Sequence, residues 1–291
     1  GRRTTGSGWL SLASGWLVRA GARGPATGPT GPGREPLRHL SYVWRLGATG
    51  IAFLAIFFGG GVLAVTVLRL VALAPGQRRE RCQHVIHVLF RFYIATLKTL
   101  GPNDLETRGL ERLGIPGGRL IVANHPSLLD VVLLMAFTPK AQCIVKHQLW
   151  THRFLGPLMR GAGYIRNDLP AEEMLAACRD AMERGNSLII FPEGTRSTPG
   201  QKMHLHRGFA NLATLAHADI QLVVITCEPP TLIKGEPWWR IPPHKPLFTV
   251  VAGDRLDAQS FACYPHRSLA ARHIVRSVEA YFAEKLGHAG S

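Results

Sequence analysis

The sequence predicts an α/β fold, a sheet flanked by helices, preceded by an N-terminal membrane-associated helical segment. Beyond Gly101, short apolar runs alternate with helical stretches, the pattern of strands covered by helices. Upstream, the 23 residues from Leu46 to Leu68 carry no charge, and a Gly- and Arg-rich stretch precedes them. Three regions follow from this: a disordered basic tail over 1–39, a membrane-associated helical region over 40–100, and a catalytic-type α/β domain over 101–291.

Residues 1–39 hold nine Gly, six Arg and four Pro without a sustained apolar period, a composition too poor in buriable surface to fold alone. The apolar patch from Trp9 to Val18 is diluted by Ser11, Ser14 and Gly15, which argues against a signal-peptide core. The uncharged stretch, flanked by Arg45 and Arg69, has the roughly 20 residues that a membrane-crossing helix needs. Gly59-Gly60-Gly61 divides it into arms of about 12 residues, each near 18 Å, so a hairpin entering from one face is the competing arrangement. Residues 79–100 place Val85, Ile86, Val88, Leu89, Phe92, Tyr93 and Leu97 near helical spacing. They predict an amphipathic helix lying on a membrane or on the domain behind it.

In the domain, strands are predicted at 120–123, 142–146, 187–191, 221–226 and 247–252, with helices near 128–137, 150–160, 171–184, 208–217 and 266–286. The third of these helices is well punctuated, with Pro170 at its first turn, Glu172 and Glu173 at the positive end, and Gly185 beyond Arg184.

Lys and Arg total 34 against 19 Asp and Glu, a net charge of +15, which favours a polyanionic partner such as nucleic acid, an anionic membrane surface or a phosphorylated substrate. The five cysteines are widely spaced with no C-x-x-C pair, as expected of reduced thiols in a cytosol-facing protein. Neither a glycine-rich phosphate loop nor a dinucleotide fingerprint is present, which disfavours nucleotide chemistry. The histidines form no metal-ligand set, so no metal is expected.

Two segments could carry chemistry. Asn124-His125-Pro126-Ser127-Leu128-Leu129-Asp130 sits where a strand ends and a helix begins, the place where α/β sheets hold reactive groups. With Ser127 as helix N-cap, Asp130 falls one turn on, so its carboxylate can orient His125 and stabilise the imidazolium formed when His125 removes a hydroxyl proton. The same Ser127-x-x-Asp130 spacing is also that of an ordinary helix start. Phe191-Pro192-Glu193-Gly194-Thr195-Arg196-Ser197 follows another strand and faces the same crevice. Arg196 can clamp phosphate, and Glu193 can accept bonds from hydroxyls or hold Arg196.

Together these segments resemble the glycerophospholipid acyltransferases typified by lysophosphatidic acid acyltransferase, over roughly 115–255. Asn124, His125, Ser127 and Asp130 meet the first block, N-H-x-S-x-x-D; Phe191 to Ser197 meet the third, F-P-E-G-T-R-S, at every position. The resemblance implies His125 as general base, Asp130 as its orienter, and Glu193, Gly194, Thr195 and Arg196 as acceptor-binding residues. Lys146 and Arg207 match basic positions of the family. It implies no cofactor, acyl-CoA or acyl carrier protein as co-substrate, a lysolipid acceptor, and a place at the inner (cytoplasmic) membrane with the catalytic domain facing the cytoplasm.

The second block departs from the pattern: Leu169 stands where the family has Arg, and Arg166 is the nearby substitute. In the fourth, Val223-Val224-Ile225-Thr226-Cys227-Glu228-Pro229, the proline is displaced. The expected acceptor is 1-acyl-glycerol-3-phosphate, with lyso-ornithine lipid or a specialised hydroxylated lipid as alternatives. Three rival readings are a hydrolase using Ser127, which lacks the G-x-S-x-G elbow; a non-catalytic membrane-binding protein; and a nucleic-acid binder, which only the charge suggests.

Overall fold

The computed structural model describes residues 35–55, 66, 77–153, 155–198 and 203–287. The chain divides into two units, 1–39 and 40–291, so residues 40–100 and 101–291 belong to one compact body. Most of the predicted tail, the Gly59-Gly60-Gly61 break and nearly all of the second half of the uncharged stretch lie outside the described residues.

Two long helices come first: α1 (Glu35–Leu54) and α2 (Arg78–Leu100). Helix α1 starts inside the segment expected to be disordered. Pro36 suits a first turn, and no glycine interrupts the chain again until Gly47. Among the described residues, no helix is long and apolar enough to cross a membrane.

The domain then runs β1 (Asp104–Arg108), β2 (Leu120–Ala123), α3 (Asp130–Phe137), β3 (Ala141–Val145), α4 (His147–Thr151), α5 (Gly156–Ala162), β4 (Ile165–Arg166), α6 (Ala171–Glu183), β5 (Ser187–Ile190), α7 (Gly208–Ala216), β6 (Ile220–Glu228), β7 (Leu247–Leu256) and α8 (Arg267–Lys285). The seven strands form one sheet in the order β1-β7-β6-β2-β5-β3-β4. All neighbours are parallel except the β6–β7 pair. The sequence pattern misses β1 because Leu105 is its one apolar residue among Asp104, Glu106, Thr107 and Arg108, and β4 because it is two residues long. The single helix expected over 150–160 is two short ones, α4 and α5, with His152 ending the first.

Strand β2 is apolar along its length, and β5 is apolar after Ser187, because helices cover both faces. Alternation divides the core: Ile121, Ala123, Cys143, Val145 and Ile189 face α2, α3 and α5, whereas Leu120, Val122, Leu188 and Leu222 face α6, α7 and α8. Strands β2, β3, β4, β5 and β6 all run the same way, so the loops leaving their carboxyl ends gather on one edge.

Helix α2 braces α3 and α5 with two polar side chains one turn apart. Gln83 Nε2 donates to the carbonyl of Ala162 at 3.0 Å, and His87 Nδ1 lies 3.0 Å from the carbonyl of Met135. Both are last-turn carbonyls, of α5 and α3, which have no partner within their own helices. Since a carbonyl only accepts, Nδ1 of His87 carries the proton. Burial pushes the imidazole below its ordinary pKa, against the raising effect of the Met135 bond, with Arg91 and His84 adding to the lowering. The unfolded chain therefore takes up a proton first as pH falls through the ordinary histidine range near 6.5, and stability declines down to the folded-state pKa. Urea midpoints at pH 7.5 and 5.5 should show this decline in the wild type and a smaller one in His87→Gln, which keeps a donor but does not titrate. Equal declines would remove His87 as the cause.

Candidate active site

The site begins at the carboxyl end of β2, where the ladder passes from backbone to side chain. After the Ala123–Val223 pairing, Asn124 extends the contact: its Nδ2 donates to the Ile225 carbonyl and its Oδ1 accepts from the Ile225 amide, both at 2.7 Å. This amide-to-backbone clamp is buried and fixes the direction in which the chain leaves the sheet. The next residue, His125, is thereby aimed along the crevice.

His125 Nδ1 lies 2.9 Å from Asp130 Oδ2. The same oxygen accepts from the Ser127 amide at 2.7 Å, so Asp130 caps the turn and orients the imidazole together. The helix begins at Asp130 and Leu129 is its N-cap, not Ser127 as the spacing suggested. The carboxylate reaches back over a tight turn rather than across a full helical turn. Asp130 is fully buried; burial raises its carboxyl above the usual range, opposed chiefly by the His125 and Ser127 hydrogen bonds. Its Oδ1 is buried without a hydrogen-bond partner among the described residues. An under-solvated carboxylate of this kind gains more from an adjacent imidazolium than a solvated one would. On its other side His125 stacks on Phe191, with ring centroids 4.2 Å apart.

The turn after β5 docks onto this loop. Glu193 Oε1 accepts from the His125 amide at 3.0 Å and from Ser197 Oγ at 2.8 Å, while the Ser197 amide donates to the His125 carbonyl at 2.7 Å. Gly194 sits at φ +67°, a backbone conformation that favours glycine, and a Cβ there would press on the His206 ring at 3.1 Å. Beside it Thr195 is exposed.

The other predicted residues fall in different places. Arg196 Nη1 donates to the carbonyls of Leu232 and Ile233, each at 2.9 Å, which commits part of the guanidinium to holding the loop after β6. Lys146 and Arg166 stand at the ends of β3 and β4, two and three strands from β2, at about 4.8 Å per strand. Lys146 is exposed. Arg166 binds Asp168 through Nε at 2.8 Å and Nη2 at 2.5 Å, and holds the Asp168 carboxyl down at about 2. Arg207 is exposed at the N-cap of α7, next to His206, whose amide donates to the Pro192 carbonyl.

Sequence reasoning missed Leu232. It adopts φ +55°, a strained value for a leucine, and its carbonyl accepts from the Leu128 amide as well as from Arg196. One carbonyl thus links the first motif to the third. Farther along the same loop, the Pro242 and Pro243 carbonyls accept from Arg45 of α1, at 3.2 and 2.6 Å. The run Glu228-Pro229-Pro230 hints at an ordered loop, but no local pattern announces its partners.

The arrangement can remove a proton. Asp130 Oδ2, as a carboxylate oxygen, only accepts, so His125 carries its proton on Nδ1 and presents an unprotonated Nε2.

Residues 104–228 match the Acyltransferase family profile. The relatives that the chain matches carry a more particular name. It is 38% identical over 124 residues to the 1-acyl-sn-glycerol-3-phosphate acyltransferase of Helicobacter pylori, covering 40% of this chain and 52% of that protein. It is 28% identical over 224 residues to the chloroplastic 1-acyl-sn-glycerol-3-phosphate acyltransferase LPAT1 of Arabidopsis thaliana, covering 74% and 60% respectively. The chain therefore spans between half and two thirds of these relatives' lengths. The crystal structure of the 1-acyl-sn-glycerophosphate acyltransferase PlsC from Thermotoga maritima shares the fold, with a TM-score of 0.64 at 20% identity over 87% of this chain and 99% of that one.

Glu193 has a role that substitution can separate from charge. Glu193→Gln keeps an oxygen able to accept both bonds and should retain turnover within about fivefold. Glu193→Ala unpins His125 and should lose about 100-fold in kcat. Equal losses in the two variants would show that the carboxylate charge, not the bridge, is what matters.

Proposed function

We propose that this protein transfers a fatty acyl group from a thioester to the hydroxyl of a lysophospholipid, with 1-acyl-glycerol-3-phosphate as the acceptor. The observation that carries the reading is the 2.9 Å His125–Asp130 pair, locked by Glu193 to the turn after β5. His125 Nε2 takes the acceptor's hydroxyl proton as that oxygen attacks the thioester carbonyl. The tetrahedral intermediate collapses, the C–S bond breaks, and the departing sulfur takes the proton from the imidazolium. No covalent acyl-enzyme and no cofactor is required; the donor is acyl-CoA or acyl carrier protein.

The backbone amides that lead into α3, at the helix start where oxyanion donors are commonly found, are already engaged. The Ser127 amide serves Asp130, the Leu128 amide serves Leu232, and the Leu129 amide points at Ser127 Oγ at 3.4 Å. Stabilisation of the oxyanion must come from elsewhere in the crevice.

The acceptor phosphate would lie along the carboxyl edge toward Lys146 and Arg166, where it competes with Asp168 for Arg166, with Arg207 and the free side of Arg196 completing the electropositive rim. Membrane association is part of the proposal. Leu40, Val43, Trp44, Ile51 and Leu54 of α1 and Phe92 of α2 are exposed apolar groups, suited to a lipid interface. That would place the protein at the inner membrane with its site facing the cytoplasm.

Labelled acyl-CoA and acyl carrier protein thioesters, offered with lysophosphatidate in mixed micelles, test the reading. The wild type should form phosphatidate, and His125→Ala should be slower by at least about 1,000-fold. Undiminished turnover in the variant would sink the base assignment. Wild-type turnover with lyso-ornithine lipid but not lysophosphatidate would move the acceptor.

A further inference from the structure

Arg78 and Arg79 open α2, a 23-residue helix whose N-cap, Gln77, is left-handed and provides no side-chain cap. Cations at this end oppose the helix dipole. Arg160 of α5 brings a third guanidinium, and Arg78, Arg79, Pro157, Arg160 and Gly161 line one open cavity of about 450 Å³. None of the lining residues is acidic. Among the described residues, none of the three arginines has a carboxylate within ion-pair distance.

These arginines are seated by the backbone beneath them. Arg160 Nη1 donates to the Trp150 carbonyl at 2.7 Å and would lie 2.8 Å from a Cβ at Gly156. The Arg79 side chain occupies the space that a Cβ at Gly163 would take. Gly156 opens α5 and Gly163 caps it; the first leaves space for the Trp150 carbonyl and the Arg160 guanidinium bonded to it, the second for the Arg79 side chain. Three like charges at a helix's positive end repel one another, a local conflict of the kind that marks functional positions. An anion with two or more negative charges converts the repulsion into charge-assisted, bidentate hydrogen bonding.

The geometry points to this cavity as a binding site for a phosphate-bearing anion, a phosphomonoester or a pyrophosphate, that shares no residue with the His125–Glu193 site. The phosphate can come from a lipid headgroup or from a soluble molecule, and two probes separate the sources: inorganic pyrophosphate by titration calorimetry, and phosphatidylcholine vesicles with and without phosphatidic acid by co-sedimentation.

The full chain is compared with Arg79→Gln/Arg160→Gln, with Arg78→Gln, and with a control of equal charge loss on the exposed face of α8, Arg267→Gln/Arg272→Gln. The cavity double variant should bind one probe at least about tenfold more weakly, Arg78→Gln about threefold, and the α8 control less than about twofold. Arg78 is exposed at a helix end, so its variant decides the matter should the double variant fold poorly. Loss with pyrophosphate identifies a soluble ligand, and loss with vesicles alone a headgroup. Equal losses in the cavity and α8 variants, or no wild-type binding to either probe, would overturn the site. His125→Ala should bind as the wild type does, so the outcome is independent of the acyl-transfer reading.

Discussion

One carboxylate oxygen, Glu193 Oε1, joins the loop after β2 to the turn after β5 by accepting from the His125 amide and from Ser197 Oγ. The sheet brings the two strand ends side by side, since β2 pairs directly with β5, but pairing stops short of the loop that carries His125. Beyond it the backbone needs other partners, and Glu193, Asn124 and the Ser197 amide supply them. His125 is thus held through its own amide and carbonyl, while Asp130 holds its ring. In the proposed mechanism, a base fixed at both backbone and imidazole loses little entropy on meeting its substrate, which is where much of the rate advantage of such sites originates.

The constraint extends outward through the loop that follows β6. Leu232, strained at φ +55°, offers its carbonyl to both motifs, and Arg45 of α1 grips the same loop at Pro242 and Pro243. The N-terminal helix is in this way mechanically continuous with the edge that carries His125. Helix α2 contributes from the opposite side by capping the ends of α3 and α5. The N-terminal helices therefore complete the domain in addition to presenting apolar surface.

Much of this was legible in the sequence because it rests on local rules. Apolar runs marked β2 and β5, and their ends located His125 and Glu193. What escaped notice rests on distant partners. Nothing near Asn124 shows that Ile225 will be its partner, and nothing near Arg196 shows that two carbonyls will claim Nη1. The Ser127 N-cap was misread because a carboxylate at Asp130 can close the turn more tightly than a hydroxyl three residues earlier. Strand β4 is too short for any periodicity, and β1 has too many charges. The start of α1 was obscured by the glycine-rich residues before it.

The account turns on which imidazole nitrogen is free. Nitrogen-15 NMR of protein labelled at histidine, with His125 assigned through His125→Gln, reads that tautomer directly. At neutral pH the account predicts that His125 carries its proton on Nδ1, donated to Asp130, with Nε2 unprotonated, and that Asp130→Ala abolishes this preference. A proton found on Nε2 in the wild type would leave no base facing the crevice and would contradict the mechanism at its first step.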